Sequence, residues 1–186
     1  MEVRNVSFSY GEKPIIENLS LSLSGGRHIA VMGESGRGKT TLLRLLAGFI
    51  QPTSGSIERS EKERPALVFQ EDRLLPWYSA YKNVSIPACP GCDPEAILKD
   101  MELSESLHKL PKELSGGMQR RVAIARALAF RGDPLLLDEP FKGLDADMRA
   151  RIAKQILKYA EGTSILLITH DEHEAELLEC SELIRL

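Results

Sequence analysis

Four short apolar runs punctuate the chain: His28-Ile-Ala-Val-Met32, Pro65-Ala-Leu-Val-Phe-Gln70, Pro134-Leu-Leu-Leu-Asp138 and Ser164-Ile-Leu-Leu-Ile-Thr-His170. Each is too short for a helix and nearly free of polar positions, the pattern of strands buried on both faces. Helical spacing appears between them, at residues 42–47, 119–129 and about 148–160, the last with Ile152, Ile156 and Leu157 on one face. The first part of the chain reads differently. Residues 3–10 and 15–23 are strand-like around the turn Gly11-Glu-Lys-Pro14, which predicts an antiparallel pair. Short strands are predicted at 56–59 and 183–186. A helix is predicted from about Pro94 to Leu107, with Ile97, Leu98, Met101, Leu103 and Leu107 at approximate helical spacing, as an insert between strands.

Length and composition narrow this picture without changing it. The chain's 186 residues fit one domain with a substantial core. Its formal charge of −3 offers no basic footprint for nucleic acid. No apolar segment approaches the ~20 residues that span a bilayer, and the N-terminus lacks a signal peptide's apolar centre. The expected location is therefore the cytoplasm. Cys89-Pro-Gly-Cys92 has the spacing of a redox pair or half a metal site. No second pair completes a four-ligand set, so two thiols in a Pro/Gly turn are the plainer reading.

The chemistry concentrates at the ends of the apolar runs. After the first comes Gly33-Glu-Ser-Gly-Arg-Gly-Lys-Thr-Thr41, the G-x-x-x-x-G-K-[ST] phosphate-binding pattern, followed by a helix. Its glycines let backbone N–H groups turn inward around a phosphate, and the helix N-terminus adds partial positive charge. Lys39 can reach the β- and γ-phosphates, and the Thr40 hydroxyl can ligate Mg²⁺. ATP or GTP is the expected ligand. Tyr10 ends its strand where an antiparallel pair would bring it beside a nucleotide, so it is either a base-stacking ring or an ordinary strand-end tyrosine.

The later runs deliver polar groups at their carboxyl ends, where ligands gather in parallel sheets. Gln70 ends the second and can orient water or touch Mg²⁺. Asp138 and Glu139 end the third; Asp138 suits Mg²⁺, and Glu139 is placed to act as general base on a water. His170 ends the fourth and can hydrogen-bond a γ-phosphate, whereas His173 belongs to a polar, acidic helix. Leu114-Ser-Gly-Gly-Met118 opens a helix, as a second anion site built on Ser115, Gly116 and Gly117, or simply as an N-cap by Ser115. The aromatic cluster of Trp77, Tyr78 and Tyr81 behind Leu74-Leu-Pro is either the small core of the insert or a docking surface.

Taken in order, these residues resemble the nucleotide-binding subunit of an ATP-binding cassette transporter over essentially the whole chain. The matching elements are residues 33–41 (Walker A), Gln70 (Q-loop), 114–118 (signature), 135–139 (Walker B), Asp145 (D-loop) and His170 (switch). The signature discriminates, since most other P-loop proteins lack it. Residues 68–77 and Met118 are similar to the nitrate, sulfonate and taurine importer group. Lys142-Gly143 departs from the small residues usual before the D-loop, and no C-terminal regulatory domain like that of many relatives is expected.

The resemblance implies an α/β fold with a RecA-like P-loop NTPase parallel-sheet core. An N-terminal antiparallel β subdomain would accompany it, with the core and β subdomain in residues 1–70 and 131–186 and a helical subdomain in 71–130. It implies ATP and Mg²⁺ as ligands. Nucleotide would be held by Tyr10, Gly33, Glu34, Ser35, Gly36, Arg37, Gly38, Lys39, Thr40, Thr41 and Asp145, with Ser115, Gly116 and Gly117 contributed by a second copy. Mg²⁺ would meet Thr40, Gln70 and Asp138; Glu139, His170 and Gln70 would carry catalysis. The implied partners are that second copy, arranged head to tail, an integral membrane permease gripped by the 71–113 insert near Trp77, and indirectly an extracytoplasmic binding protein. The subunit would lie on the inner face of the membrane. An exporter subunit, or a cassette ATPase that remodels protein or nucleic-acid complexes, is the rival. The short insert and single cassette weigh against the remodeller, and segment 73–77 favours import.

Overall fold

The computed structural model describes every residue except Ser35 and Lys62. Five parallel strands form the centre: β3 (His28–Met32), β5 (Ala66–Val68), β6 (Leu135–Asp138), β7 (Ile165–Ile168) and β8 (Glu182–Arg185), in the order β5-β6-β7-β3-β8. β1 (Glu2–Tyr10) pairs antiparallel with β2 (Lys13–Ser22) on one side and β4 (Ser54–Glu58) on the other, making a separate three-stranded sheet. The predicted strands are present with slightly shifted ends.

Alternation along the central strands explains the layering. Ile29, Val31, Leu136, Leu166 and Ile168 face one side, where they pack with Leu42, Leu45 and Leu46 of α1 (Lys39–Ala47) and with Val3, Val6 and Phe8 of β1. Ala30, Leu135, Leu137, Ile165 and Leu167 face the other, against Val122 and Ile124 of α4 (Gly116–Phe130) and Ile152 and Ile156 of α5 (Ala146–Tyr159). A side-chain period of two thus splits each strand between two cores, and the sheet is covered on both faces.

The insert contains two short helices, α2 (Ala80–Ser85) and α3 (Pro94–Asp100), packed on α4. Asp93 caps α3 by accepting from the N–H groups of Glu95 and Ala96, with Pro94 in the first turn. The helix predicted to continue to Leu107 stops at Asp100, and a single 3₁₀ turn follows at Ser104–Ser106. Glu102 takes a left-handed φ of 57°, Leu103 N–H reaches back to Leu98 O, and Arg121 of α4 donates to the carbonyls of Met101 and Glu102. The helix end is therefore satisfied from outside, and Leu103 is buried without helical continuation. A last helix, α6 (Glu172–Leu177), precedes β8.

The aromatic cluster divides between core and surface. Leu74 and Tyr81 pack against the core, while Trp77 is 83% exposed and Leu75 and Tyr78 are also open to solvent. One buried amide holds this segment. The Asn83 side chain accepts from Leu75 N–H at 2.7 Å and donates to the carbonyls of Leu75, Tyr78 and Ser79 at 3.1, 2.9 and 3.1 Å. Replacing Asn83 with Ala would strand these groups, and a buried group without its partner costs about 1–3 kcal/mol. Urea unfolding should show a loss of that order, with Trp77 fluorescence broadening or shifting in the folded state; an unaltered midpoint would contradict the assignment.

Candidate functional site at the carboxyl edge of the parallel sheet

Strand order sets out the site. β5 ends toward Gln70, its neighbour β6 at Asp138 and Glu139, β7 toward His170, and β3 at the loop leading to α1. In a parallel sheet these ends share one edge. They open on a cavity of about 500 Å³ that also receives Tyr10 and Ile15 from the antiparallel sheet.

The loop from Gly33 to Thr41 is shaped by close approaches. Gly38 is the N-cap of α1 with φ of 92°, and no side chain caps that helix. A Cβ there would stand 2.8 Å from Ile15 Cγ2 and 3.0 Å from Ile15 O, so only glycine fits. The first-turn N–H groups consequently face the cavity, as an anion requires. Lys39 Nζ donates to Gly33 O at 2.6 Å and Glu34 O at 2.8 Å, drawing the loop around its own ammonium. Gly33, Glu34, Gly36, Gly38, Thr40 and Thr41 all line the cavity as expected. Arg37 does not. Its exposed side chain pairs with Glu34 at 3.6 Å, and it borders a neighbouring depression over β2. Ser35 lies outside the described residues. Tyr10 is half-exposed, its ring held edge-on against Phe8 at 4.8 Å and 86°, which leaves it available for stacking at the cavity wall.

Facing the loop are the strand-end groups. Asp138 is buried, and burial pushes its carboxyl pKa up, with the neighbouring Glu139 adding to the rise. Arg120, Lys39 and a hydrogen bond from Thr40 oppose this without cancelling it. Glu139 occupies left-handed backbone at φ 46°, pinned by its N–H to Ile168 O at 2.9 Å. That turn sends its carboxylate between two neighbours: Gln70 Nε2 donates to Oε2 at 3.4 Å, and His170 Nδ1 lies 3.7 Å from Oε1. The predicted catalytic trio therefore meets at one carboxylate. Thr40, Asp138, Gln70 and Glu139 form a set of hard oxygen donors beside a phosphate loop, which fits Mg²⁺ by donor chemistry.

Ser115, Gly116, Gly117 and Asp145 lie off this cavity and gather elsewhere. Ser115 caps α4 by accepting from Met118 N–H at 3.3 Å, and Asp145 caps α5 by accepting from Met148 N–H at 2.8 Å. A Cβ on Gly117 would sit 3.2 Å from Leu144 Cδ2, so the two turns adjoin. Both stay exposed at the surface. The N-cap reading of Ser115 holds within one chain.

Among the described residues, no group of three His, Cys, Asp or Glu side chains is arranged to hold a metal. The three cysteines are free thiols; Cys92 N–H donates to Cys89 O to close its turn, and burial pushes the Cys92 thiol pKa up and that of Cys180 to about 12. The Cys92 and Cys180 thiols are therefore poor nucleophiles.

One functional group escaped the motif reading. Arg120 of α4 is 2% exposed, and its guanidinium donates to backbone carbonyls of Phe69, Asp138, Glu139 and Pro140. Three arginines share this helix, and nothing in the local sequence marks Arg120 as the one whose buried charge must be paired.

The raised Asp138 pKa carries a stability consequence. Because the folded-state pKa exceeds the unfolded one, the ionised form weakens the fold above that pKa, and acidification relieves the cost. The variant Asp138→Asn should melt above the parent near neutral pH in nucleotide-free buffer. The advantage should shrink as pH falls through the carboxylate range. A lower melting temperature at neutral pH would contradict this account.

Comparison with known proteins agrees with the geometry. Residues 16–142 match the family described as ABC transporter. The chain is 41% identical to the aliphatic sulfonates import ATP-binding protein SsuB 1 of Paraburkholderia xenovorans (strain LB400), over 96% of this chain and 55% of that protein. It is 42% identical to SsuB of Granulibacter bethesdensis, over 96% of this chain and 76% of the relative. It spans between about half and three quarters of the length of these relatives. A solved dimer of the ATP-binding cassette MJ0796, in a post-hydrolysis state bound to ADP and Pi, superposes with a TM-score of 0.85 at 30% identity, covering 100% of this chain and 93% of that one. The chain belongs to the ABC transporter family, and its fold is that family's ATP-binding cassette.

Proposed function

We propose that this chain is the ATP-binding and ATP-hydrolysing subunit of a membrane importer, working as a head-to-tail pair on the inner face of the membrane. The observation that carries the reading is the convergence of Gln70 and His170 on Glu139, across the cavity from the glycine loop.

In this reading the Gly33–Thr41 backbone and Lys39 hold the phosphates, and Tyr10 stacks on the base. Thr40 and Asp138, with Gln70 beside them, hold Mg²⁺, which when bound neutralises charge on the β- and γ-phosphates. Glu139 accepts a proton from the attacking water, its carboxylate oriented by the Gln70 amide. His170 donates to the γ-phosphate, where charge develops. The cavity's far side is completed by Ser115–Gly117 and Asp145 of a second copy. Supporting this, both turns are exposed, adjoin each other and lie away from the chain's own cavity. Closure of the pair on ATP, and its release by hydrolysis, then becomes the mechanical stroke.

No helix among the described residues is long and apolar enough to cross a membrane. The reading assigns the membrane crossing to an integral membrane permease. Its dock is the surface around Trp77, whose exposed indole, beside Leu75 and Tyr78, suits an apolar partner helix. Cargo selection would fall to the permease and an extracytoplasmic binding protein.

Two substitutions test the scheme together. The variant Glu139→Gln should retain ATP binding, lose turnover by about 10²- to 10³-fold, and accumulate as a dimer by light scattering. The variant Ser115→Ala should impair turnover while ATP affinity of the monomer stays within twofold of the parent. Near-normal hydrolysis by the first would remove Glu139 from the role of base; a matched loss of affinity in the second would argue that Ser115 acts in its own chain.

A further inference from the structure

The structure assigns Arg120 the role of positioning residue for Glu139 and Gln70, linking the signature helix to the hydrolytic centre of the same chain. This rests on the proposed ATPase reading and extends it.

Arg120 leaves the middle of the first half of α4 and spreads its planar fork over two strand ends. Nε donates to Pro140 O at 3.1 Å; Nη2 donates to Asp138 O and, at 2.6 Å, to Glu139 O. Nη1 donates to Phe69 O and, at 3.0 Å, to Asp72 Oδ1, the carboxylate that balances its charge. The carbonyls flank the groups that matter. Phe69 precedes Gln70, and Asp138 to Pro140 enclose Glu139. Only a planar group with donors along several edges serves both loops at once, which a lysine does not reproduce.

What the fork fixes is a backbone that would otherwise relax. Glu139 sits at φ 46°, a conformation that a side-chain-bearing residue keeps only when its surroundings enforce it. Its N–H is held by Ile168 O, and its carbonyl is held by Arg120 and Lys142 N–H. Without the guanidinium the carbonyl of Asp138 loses its side-chain donor, that of Glu139 keeps only Lys142 N–H, and the tie from Arg120 between the 70 and 139 loops is gone. Gln70 and Glu139 are already at the long limit of a hydrogen bond, at 3.4 Å, so a small drift separates them.

The same helix begins with the exposed Ser115-Gly116-Gly117 turn, one turn before Arg120. A rotation of α4 that seats this turn on a second copy would therefore move the carbonyls around Glu139. Arg120 makes the seating of one end of the helix felt at the carboxylate beside its flank.

Steady-state hydrolysis by Arg120→Gln and Arg120→Lys is the test, alongside nucleotide affinity and melting temperature. Turnover by the parent comes first; if the parent does not hydrolyse ATP, the ATPase reading fails and not this one. With an active parent, Arg120→Gln should lower kcat by about 10- to 100-fold through loss of alignment, with ATP affinity within about twofold. The lysine variant should recover only part of it. In a double-mutant cycle, adding Arg120→Gln to Glu139→Gln should cost nothing further, because both act through one carboxylate. Full turnover in Arg120→Gln, equal losses in kcat and affinity, or multiplicative losses in the double variant would each overturn the proposal. Failure of both Arg120 variants to fold would assign the residue to the fold alone and overturn it as well.

Discussion

A strand buried on both faces has one place for a charged group, which is its end. β6 and β7 are buried throughout, and β3 from Ile29 onward, so every polar residue they deliver arrives at one edge of the sheet. The order β5-β6-β7-β3-β8 places those arrivals side by side. Packing, rather than any property of the individual motifs, brings Gln70, Glu139, His170 and the glycine loop to one cavity.

That constraint explains what could be read before the structure was known. Asp138 and Glu139 follow three leucines, and His170 follows a run of Ile and Leu, so each placement needed only local sequence and the habit of parallel strands. Tyr10 needed the antiparallel pairing as well, and the β1–β2 register supplied it. Arg37 belongs to the same run of residues, yet its side chain turns outward beside Glu34, a direction that consecutive sequence does not encode. The overlong helix after Pro94 failed for a different reason. Apolar spacing at Met101 and Leu103 mimics a helix, while the left-handed turn at Glu102 that ends it is held by Arg121, about twenty residues downstream, through the carbonyls of Met101 and Glu102.

Arginines of α4 account for most of what local sequence hides. Arg120 reaches across 51 residues to Phe69, Arg121 closes the end of α3, and Arg126 donates to the carbonyls of Asp72 and Arg73. Burial depresses the pKa of both Arg121 and Arg126, although guanidinium groups remain charged. Each of these contacts joins a helix to backbone carbonyls distant in sequence. A reader of sequence sees three positive charges on a helix; the fold uses them as cross-braces between the insert and the sheet.

The Asn83 amide has a mechanical consequence. It grips the segment at 75–79 from beneath with four hydrogen bonds while Trp77 projects into solvent. A surface braced this way has little slack to take up on contact, and little entropy to surrender. The same bonds tie the indole's segment to α2, which packs on α4, so an exposed aromatic surface is anchored to the buried helix through a single side chain.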